Sequence, residues 1–202
     1  MTRIAGANRF DTSVRVARAT TDDPRVIFLA DGGDFPDAVI AGAAAPRFDG
    51  VTVLTTDERI PVEVEAYIAA HPDAQVYAVG NGARAAAPDA PAAAGATPYV
   101  TSALLAQVFD GPTEVVIANG ERFPDGLAGG AYAAQRGAPL LLSPTDALDT
   151  PRCCSTSRAL ARSMPSPSSV ARPPSATPWP GRSPTSSAED TDVVQVGGRV
   201  DV

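Results

Sequence analysis

Residues 32–42 read GGDFPDAVIAG, and residues 120–130 read GERFPDGLAGG. The second stretch begins 88 residues after the first, and each one follows a short apolar run and one polar residue. Self-similarity at a fixed separation indicates that a chain is built by repeating one structural unit. The duplicated Phe-Pro-Asp stretch therefore decides the fold prediction.

The duplicated stretch lies within an alternation of strand-like and helix-like segments. In the first copy, apolar runs at 26–30, 51–55 and 75–79 are separated by patterns typical of helices. The second copy repeats this order with runs at 115–120 and 137–143. Strands that alternate with helical segments predict parallel sheets with helical crossovers. The predicted fold class is α/β, in tandem repeat units that each have a small parallel sheet flanked by helices, with an irregular or disordered C-terminal part.

The starts of the helices are predicted from polar residues and prolines. Asp11 and Thr12 are of the type that caps a helix N-terminus. Pro36 fits the first helical turn, with Asp37 near the positive end of the helix dipole. Asp125 takes the equivalent place in the second copy. Two carboxylates can act as acid and base in catalysis, but we interpret Asp37 and Asp125 as residues that stabilise helix starts.

Composition argues against several classes of function. The 202 residues carry a net charge of −7, which argues against a nucleic-acid partner. The longest apolar runs are too short to span a bilayer, and no secretory signal is visible at the start of the chain. The two cysteines are adjacent and there is one histidine, so we expect no disulfide framework, no metal site and no cofactor.

The character of the sequence changes abruptly after about residue 150. Residues 151–187 contain ten serines, eight prolines and five arginines but no acidic residue. One interpretation is a disordered Ser/Pro-rich linker. The other, which we favour, is frameshifted translation of a GC-rich gene, because the repeat predicts a helix and a strand here. Ordinary composition returns in residues 188–202, which we interpret as the start of a third repeat.

The opening of the chain carries a family pattern. Residues 2–13 read TRIAGANRFDTS and are followed by a strand-like run and then by FPDA at residues 35–38. This order resembles the type 2 cell-wall-binding repeat, which is found in surface proteins of Gram-positive bacteria. The resemblance covers residues 2–82 well and residues 99–150 less closely.

The resemblance implies an organisation and a function. It assigns residues 1–96 to a first cell-wall-binding repeat and residues 97–150 to an incomplete second one, followed by the anomalous segment 151–187 and the third start at 188–202. In this family three such units pack together and hold a protein non-covalently on an anionic wall polysaccharide. The resemblance therefore implies an extracellular wall anchor without catalysis, which packs with further repeats or with itself.

Five residues are candidates for contacts with the polymer: Arg3, Arg9, Asp31, Asn119 and Arg122. Arginine forks suit phosphate or carboxylate groups, although an ion pair or packing between units would also explain these arginines. Asp31 and Asn119 follow strands, and ligands of open α/β sheets commonly bind at the carboxyl ends of strands. The glycines after them could equally serve only to turn the chain. The second copy has no arginine at the places of Arg3 and Arg9.

The favoured function is non-covalent binding to an anionic cell-wall polysaccharide. Because the chain is itself acidic, local arginines, hydrogen bonds to sugar hydroxyls or a bridging divalent cation would have to carry the contact. Two alternatives stay open. The chain could be part of a wall hydrolase of the N-acetylmuramoyl-L-alanine amidase type, whose catalytic domain lies outside this chain, or it could be a non-functional gene fragment.

Overall fold

The computed structural model describes residues 3–145 and 192–196. Its elements are α1 (Arg9–Thr20), β1 (Val26–Asp31), α2 (Pro36–Ala44), a 3-10 turn (Ala45–Phe48), β2 (Gly50–Thr55), α3 (Val62–Ala69), β3 (Gln75–Val79), α4 (Gly80–Ala86), β4 (Ala92–Ala93), α5 (Pro98–Ala106), β5 (Glu114–Asn119), α6 (Phe123–Arg136), β6 (Leu140–Ser143) and β7 (Asp192–Val196). The segment 151–187, with both interpretations given to it, lies outside the described residues.

The first unit contains a parallel sheet of four strands in the order β2-β1-β3-β4. Val26 of β1 lies opposite Gly50 of β2 on one side and Gln75 of β3 on the other. The apolar residues 26–30 are all fully buried, because this central strand is covered on both faces. The predicted α/β unit with parallel crossovers is confirmed here.

The second unit contains a parallel sheet of three strands in the order β6-β5-β7. Val116 of β5 lies opposite Leu140 of β6, and Glu114 of β5 lies opposite Asp192 of β7. This arrangement reproduces β2-β1-β3 of the first unit. The chain is thus a tandem of two α/β units, as the duplicated sequence predicts.

The position of β7 differs from the interpretation of residues 188–202 as the start of a third repeat. Asp192–Val196 supplies the third strand of the second sheet, in the place that β3 holds in the first. A short apolar strand before a turn that contains glycine occurs at two places in the repeat, after α1 and after α3. The sequence alone therefore did not distinguish a first strand from a third one.

Alternate residues of β1 face two hydrophobic cores. Ile27 and Leu29 belong to a core between the first sheet and α1, α3 and α4, whose buried members include Val14, Val53 and Tyr67. Val26, Phe28 and Ala30 belong to a larger core that both units share. Its members from the second unit are Leu105, Val108, Phe109, Val116, Ala118, Ala133, Ala138, Leu140 and Leu142.

Helix α1 begins earlier than the sequence predicted. Its N-cap is Asn8, whose side-chain oxygen accepts a hydrogen bond of 2.8 Å from the backbone N–H of Asp11. Asp11 and Thr12 are therefore not the N-cap but lie inside the helix. Their side chains accept hydrogen bonds from the backbone N–H groups of Ala7 and Gly6, respectively. Pro36 lies in the first turn of α2, as predicted.

The repeat is retained at the level of single hydrogen bonds. The Ser13 hydroxyl accepts a hydrogen bond of 3.1 Å from the backbone N–H of Leu54, and Ser102 accepts one of 3.0 Å from Leu142. Each serine fixes the first helix of its unit to the second strand of that unit's sheet. The two units therefore share internal contacts as well as topology.

Candidate functional site

The loops that follow β1 and β5 have the same geometry. Asp31 Oδ1 accepts a hydrogen bond of 2.8 Å from the backbone N–H of Gly33, and Asn119 Oδ1 accepts one of 2.8 Å from Glu121. Both polar residues therefore close the turn that follows their own strand. They lie at the carboxyl ends of central parallel strands, where open α/β sheets place ligands.

The two loops meet at equivalent phenylalanines. The rings of Phe35 and Phe123 pack edge to face with their centroids 5.7 Å apart. The helices that follow are in contact as well. Gly126 of α6 lies against Phe35 and against Val39 of α2, and Gly130 lies against Val39. We name the surface formed by residues 31–35 and 119–123 the strand-end face.

Arg9 is attached to the strand-end face. Its guanidinium donates a hydrogen bond to the carbonyl oxygen of Gly32, and the residue is otherwise exposed. A guanidinium carries five N–H donors, so this contact leaves most of them for a ligand. The structure thus brings Arg9 to the turn that Asp31 closes.

Arg122 and Arg3 are placed differently. Arg122 is exposed at the N-cap position of α6, in the same loop as Asn119. Arg3 is exposed in the segment before α1, outside the two loops. Neither side chain has a hydrogen-bond or ion-pair partner within residues 3–145 and 192–196. The ion-pair explanation for these two arginines therefore finds no support in this part of the chain.

Asn119 has a second contact in the second unit. Its Nδ2 donates a hydrogen bond of 2.9 Å to the Thr145 hydroxyl, which in turn donates to the carboxylate of Glu121. Each polar end of the Asn119 side chain therefore has one partner. The second N–H of Nδ2 and the second lone pair of Oδ1 remain, so these contacts shape the loop without excluding a further hydrogen bond to a ligand.

Asp37 occupies a position that the sequence did not reveal. The strand order places the topological switch point of the first sheet between β1 and β3. Asp37 lies there, and its carboxylate is so close to Gly80 that a Cβ on residue 80 would overlap it. Its Oδ1 is buried without a hydrogen-bond partner. Gly80 has φ of 87°, so glycine meets both the backbone and the space requirement.

Burial raises the pKa of Asp37 to about 6, and the nearby carboxylates of Asp31 and Asp34 act in the same direction. Phe35 is the N-cap of α2 and forms no side-chain capping hydrogen bond, and Asp37 lies in the first turn, where a negative charge is favourable to the helix dipole. Its carboxylate also packs against the start of α4. No local pattern indicates this contact, which depends on the pairing of β1 with β3.

Sequence reasoning also missed Asp34, which precedes Phe35 as Arg122 precedes Phe123. Asp34 is exposed on the strand-end face. A comparison of the two copies, GGDFPD and GERFPD, would have identified it, because the third residue is an aspartate in the first copy and an arginine in the second. The strand-end face therefore carries the carboxylates of Asp31, Asp34 and Glu121, with Arg122 in the second loop and Arg9 attached to the first.

Within residues 3–145 and 192–196, no group of three or more histidine, cysteine or acidic residues is arranged to hold a metal ion. No helix in these ranges is both long and apolar enough to cross a membrane.

Comparison with known families gives one match over nearly all of the chain. The family described as cell wall binding domain 2 (CWB2) matches residues 3–86 and 93–199. The two matched ranges correspond to the two units of the fold. The second range extends through β7.

Two curated proteins of Bacillus subtilis (strain 168) are similar over most of this chain. The amidase enhancer is 26% identical over 156 residues, which is 72% of this chain and 22% of that protein. N-acetylmuramoyl-L-alanine amidase LytC is 23% identical over 151 residues, which is 70% of this chain and 30% of that protein. The chain therefore spans less than a third of the length of either relative.

Two solved structures from Clostridium difficile have a similar fold. Cwp6 superimposes with a TM-score of 0.64 at 22% identity, covering 71% of this chain and 25% of that one. Cwp8 superimposes with a TM-score of 0.64 at 20% identity, covering 73% of this chain and 28% of that one.

Proposed function

Because the chain belongs to the cell wall binding domain 2 family, we propose that it anchors a longer protein non-covalently to an anionic cell-wall polysaccharide. The observation that carries this proposal is the strand-end face, where equivalent loops of the two units meet at Phe35 and Phe123. One extended polymer could contact both loops at once. The proposed location is outside the cell, at the wall.

The charge of the protein determines how such a polymer would be held. A net charge of −7 repels an anion at long range, so attraction must come from local groups. Arg9 and Arg122 are exposed at the strand-end face, and guanidinium groups form paired hydrogen bonds with phosphate or carboxylate. Arg3 lies outside this face and is proposed as a peripheral contact. A divalent cation bridging the acidic residues to the polymer is a competing explanation.

We also propose how the chain divides into units. The first repeat occupies residues 1–96, and the second begins at residue 97. The pairing of β7 with β5 and the family match through residue 199 support a second repeat that continues beyond residue 150 and includes Asp192–Val196. Packing with further repeats, or with a second copy, is proposed as the way in which more than two units would assemble.

Co-sedimentation with purified Gram-positive cell walls tests the anchoring function. We expect the full chain to pellet with walls and the Arg9→Ala/Arg122→Ala variant to lose at least about tenfold in affinity, since hydrogen bonds to charged groups are the strong ones. The matched control is Arg84→Ala, which removes an exposed arginine from α4.

Three further arms separate the explanations. Arg9→Lys keeps a positive charge but loses the guanidinium fork, so a loss with this variant supports bidentate binding. Arg3→Ala measures the peripheral contact. Release of the protein by EDTA would support a bridging cation instead. Equal pelleting of the Arg9→Ala/Arg122→Ala variant and the parent would remove the strand-end arginines from the site.

A second candidate function is favoured by the names of the two relatives, an amidase and an amidase enhancer. Under this hypothesis the chain is the wall-binding part of a longer protein that hydrolyses peptidoglycan or assists such an enzyme. The chain covers 22% and 30% of those relatives, so catalysis would reside elsewhere. A peptidoglycan digestion assay on this chain should show no release of soluble fragments, and turnover would contradict its proposed role as a binding module.

A further inference from the structure

A groove opens beside the strand-end face, between the start of α1 and the loop that joins β2 to α3. It has a volume of about 480 Å³, within the size range of small-molecule sites. Both the start of α1 and the loop after β2 lie at the carboxyl end of the first sheet. None of the residues lining the groove belongs to the five that the sequence analysis selected.

Part of the groove lining is apolar. Phe10 and the segment Ile60–Val62 supply it, and Val62 is 74% exposed. Phe10 also packs behind the strand-end face, since a Cβ at Gly32 would lie 3.0 Å from its ring. One aromatic side chain therefore borders both the groove and the loop after β1, so the two surfaces are continuous.

The rim of the groove is polar and partly fixed in place. Asn8 Nδ2 donates a hydrogen bond of 2.9 Å to Glu63 Oε1. The hydroxyls of Thr55 and Thr56 donate to the Arg59 carbonyl oxygen at 2.9 and 2.8 Å, which holds the loop in one conformation. A site that is already ordered loses little entropy on binding.

Two charged side chains of the rim are free to bind a ligand. Arg59 and Glu65 are exposed, and their side chains have no hydrogen-bond or ion-pair partner in the part of the chain that the structure describes. A guanidinium donates hydrogen bonds and a carboxylate accepts them. Together they can satisfy hydroxyl groups, which both donate and accept.

Charge indicates what the groove would take. Among the described residues, Arg59 is the single cation that lines the groove, together with Glu63 and Glu65, so the groove lacks the two guanidinium groups that the strand-end face offers to a phosphate or carboxylate. An apolar lining beside hydrogen-bond donors and acceptors fits a pyranose ring, which has an apolar C–H face and equatorial hydroxyls. We propose that this groove is a subsite for a neutral hexose or N-acetylhexosamine unit of the wall polymer, beside the strand-end face that takes the anionic groups; the choice of a sugar rests on the proposed function.

The test is an NMR titration of the full, ¹⁵N-labelled chain with two neutral probes, triacetylchitotriose and maltotriose. We expect at least one of them to shift the backbone amides of residues 8–10 and 56–65. Glycerol 1-phosphate is the anionic arm, and it should leave these amides unshifted. Absence of shifts with both neutral probes, or shifts confined to the strand-end face, would overturn the proposal.

Variants make the test specific. Arg59→Ala and Glu65→Gln should each lower the affinity for the neutral probe about tenfold, as expected for the loss of a hydrogen bond to a charged group. Glu58→Gln and Arg84→Ala are matched controls on exposed residues that do not line the groove. Unchanged affinity for the neutral probe in both groove variants would also overturn the proposal. Binding is read from a free sugar, so this result stands whether or not the chain pellets with walls.

Discussion

Phe35 and Phe123 occupy the same position in the two units and touch each other, with ring centroids 5.7 Å apart and an interplanar angle of 85°. The wider packing is not reciprocal, because α2 also contacts α5, the first helix of the second unit, whereas α6 has no comparable contact with α1 in the described part of the chain. The ring contact lies next to the shared core, so it couples the strand-end face to the packing between α2 and α6.

The Phe35–Phe123 contact should be measurable as a coupling energy. Edge-to-face aromatic pairs contribute about 0.5–1.5 kcal/mol beyond their burial. We therefore expect Phe35→Leu and Phe123→Leu to be non-additive by roughly this amount in a double-mutant cycle from urea denaturation. Additive effects would show that the two rings stabilise their own units independently. Leu127→Ala, at an exposed position of α6, is the control.

The serines that join helix to sheet should contribute unequally to stability. Ser102 is fully buried, and Ser102→Ala leaves the backbone N–H of Leu142 without its partner. We expect a loss of about 1–3 kcal/mol. Ser13→Ala should lose less, because the hydrogen bond from Leu54 is only partly buried.

Chemical denaturation measures both serine effects. Thr20→Ala is the control, since its exposed hydroxyl bonds only within α1, and it should change stability by less than about 0.5 kcal/mol. A Ser102→Ala effect no larger than that of the control would contradict the buried hydrogen bond.

Asp37 should make stability depend on pH. Its pKa is raised from 3.8 to about 6 in the folded chain, mainly by burial. Between these values the folded state binds a proton that the unfolded state releases, so stability falls as pH rises from about 4 to about 6 and is then level. Because the carboxyl is partly exposed, we expect the free energy of unfolding to fall by about 2 kcal/mol, which is less than the full pKa shift would give.

Asp37→Asn should remove this part of the pH dependence. Urea midpoints measured at pH values of about 4 and about 7 should then lie closer together than in the parent. Asp125→Asn is the matched control, because Asp125 takes the same place in α6. An unchanged difference between the two pH values in Asp37→Asn would show that another group is responsible.

Two glycines should respond in opposite directions to alanine. Gly42 lies inside α2, and a Cβ there meets nothing within 4 Å. Gly42→Ala should therefore stabilise the protein by about 0.5–1 kcal/mol. Gly137 ends α6 with φ of 62°, which alanine adopts only with strain, so Gly137→Ala should destabilise it. Thermal unfolding of both variants checks the pair, and a shift of the same sign would contradict the assignment.

The sequence predicted the parts of the fold that depend on local pattern. The apolar runs became β1 (Val26–Asp31) and β5 (Glu114–Asn119), and Pro36 lies in the first turn of α2. These features follow from hydrophobic pattern and backbone restriction, which are readable along the chain. The two-residue strand β4 (Ala92–Ala93) was missed, because such a short strand forms only where a paired neighbour exists.

Features that depend on distant parts of the chain were less accessible. The contact of Asp37 with Gly80 exists because β1 pairs with β3, and the groove needs two segments about 50 residues apart. Arg9 and Asp31 were selected separately and lie at the same turn, whereas Arg3 lies outside it. Local motifs placed Asp31 and Asn119 at the ends of strands but gave no indication that the two loops meet or that a groove lies beside them.

The third strand of the second sheet comes from residues far along the chain, with Ser143 ending β6 and Asp192 beginning β7. In a version cut before Asp192, β5 would become an edge strand whose backbone N–H and C=O groups lack partners on one side. Such an edge can recruit a strand from another molecule. A shortened product is therefore expected to aggregate, and truncation is a poor way to obtain a smaller binding reagent.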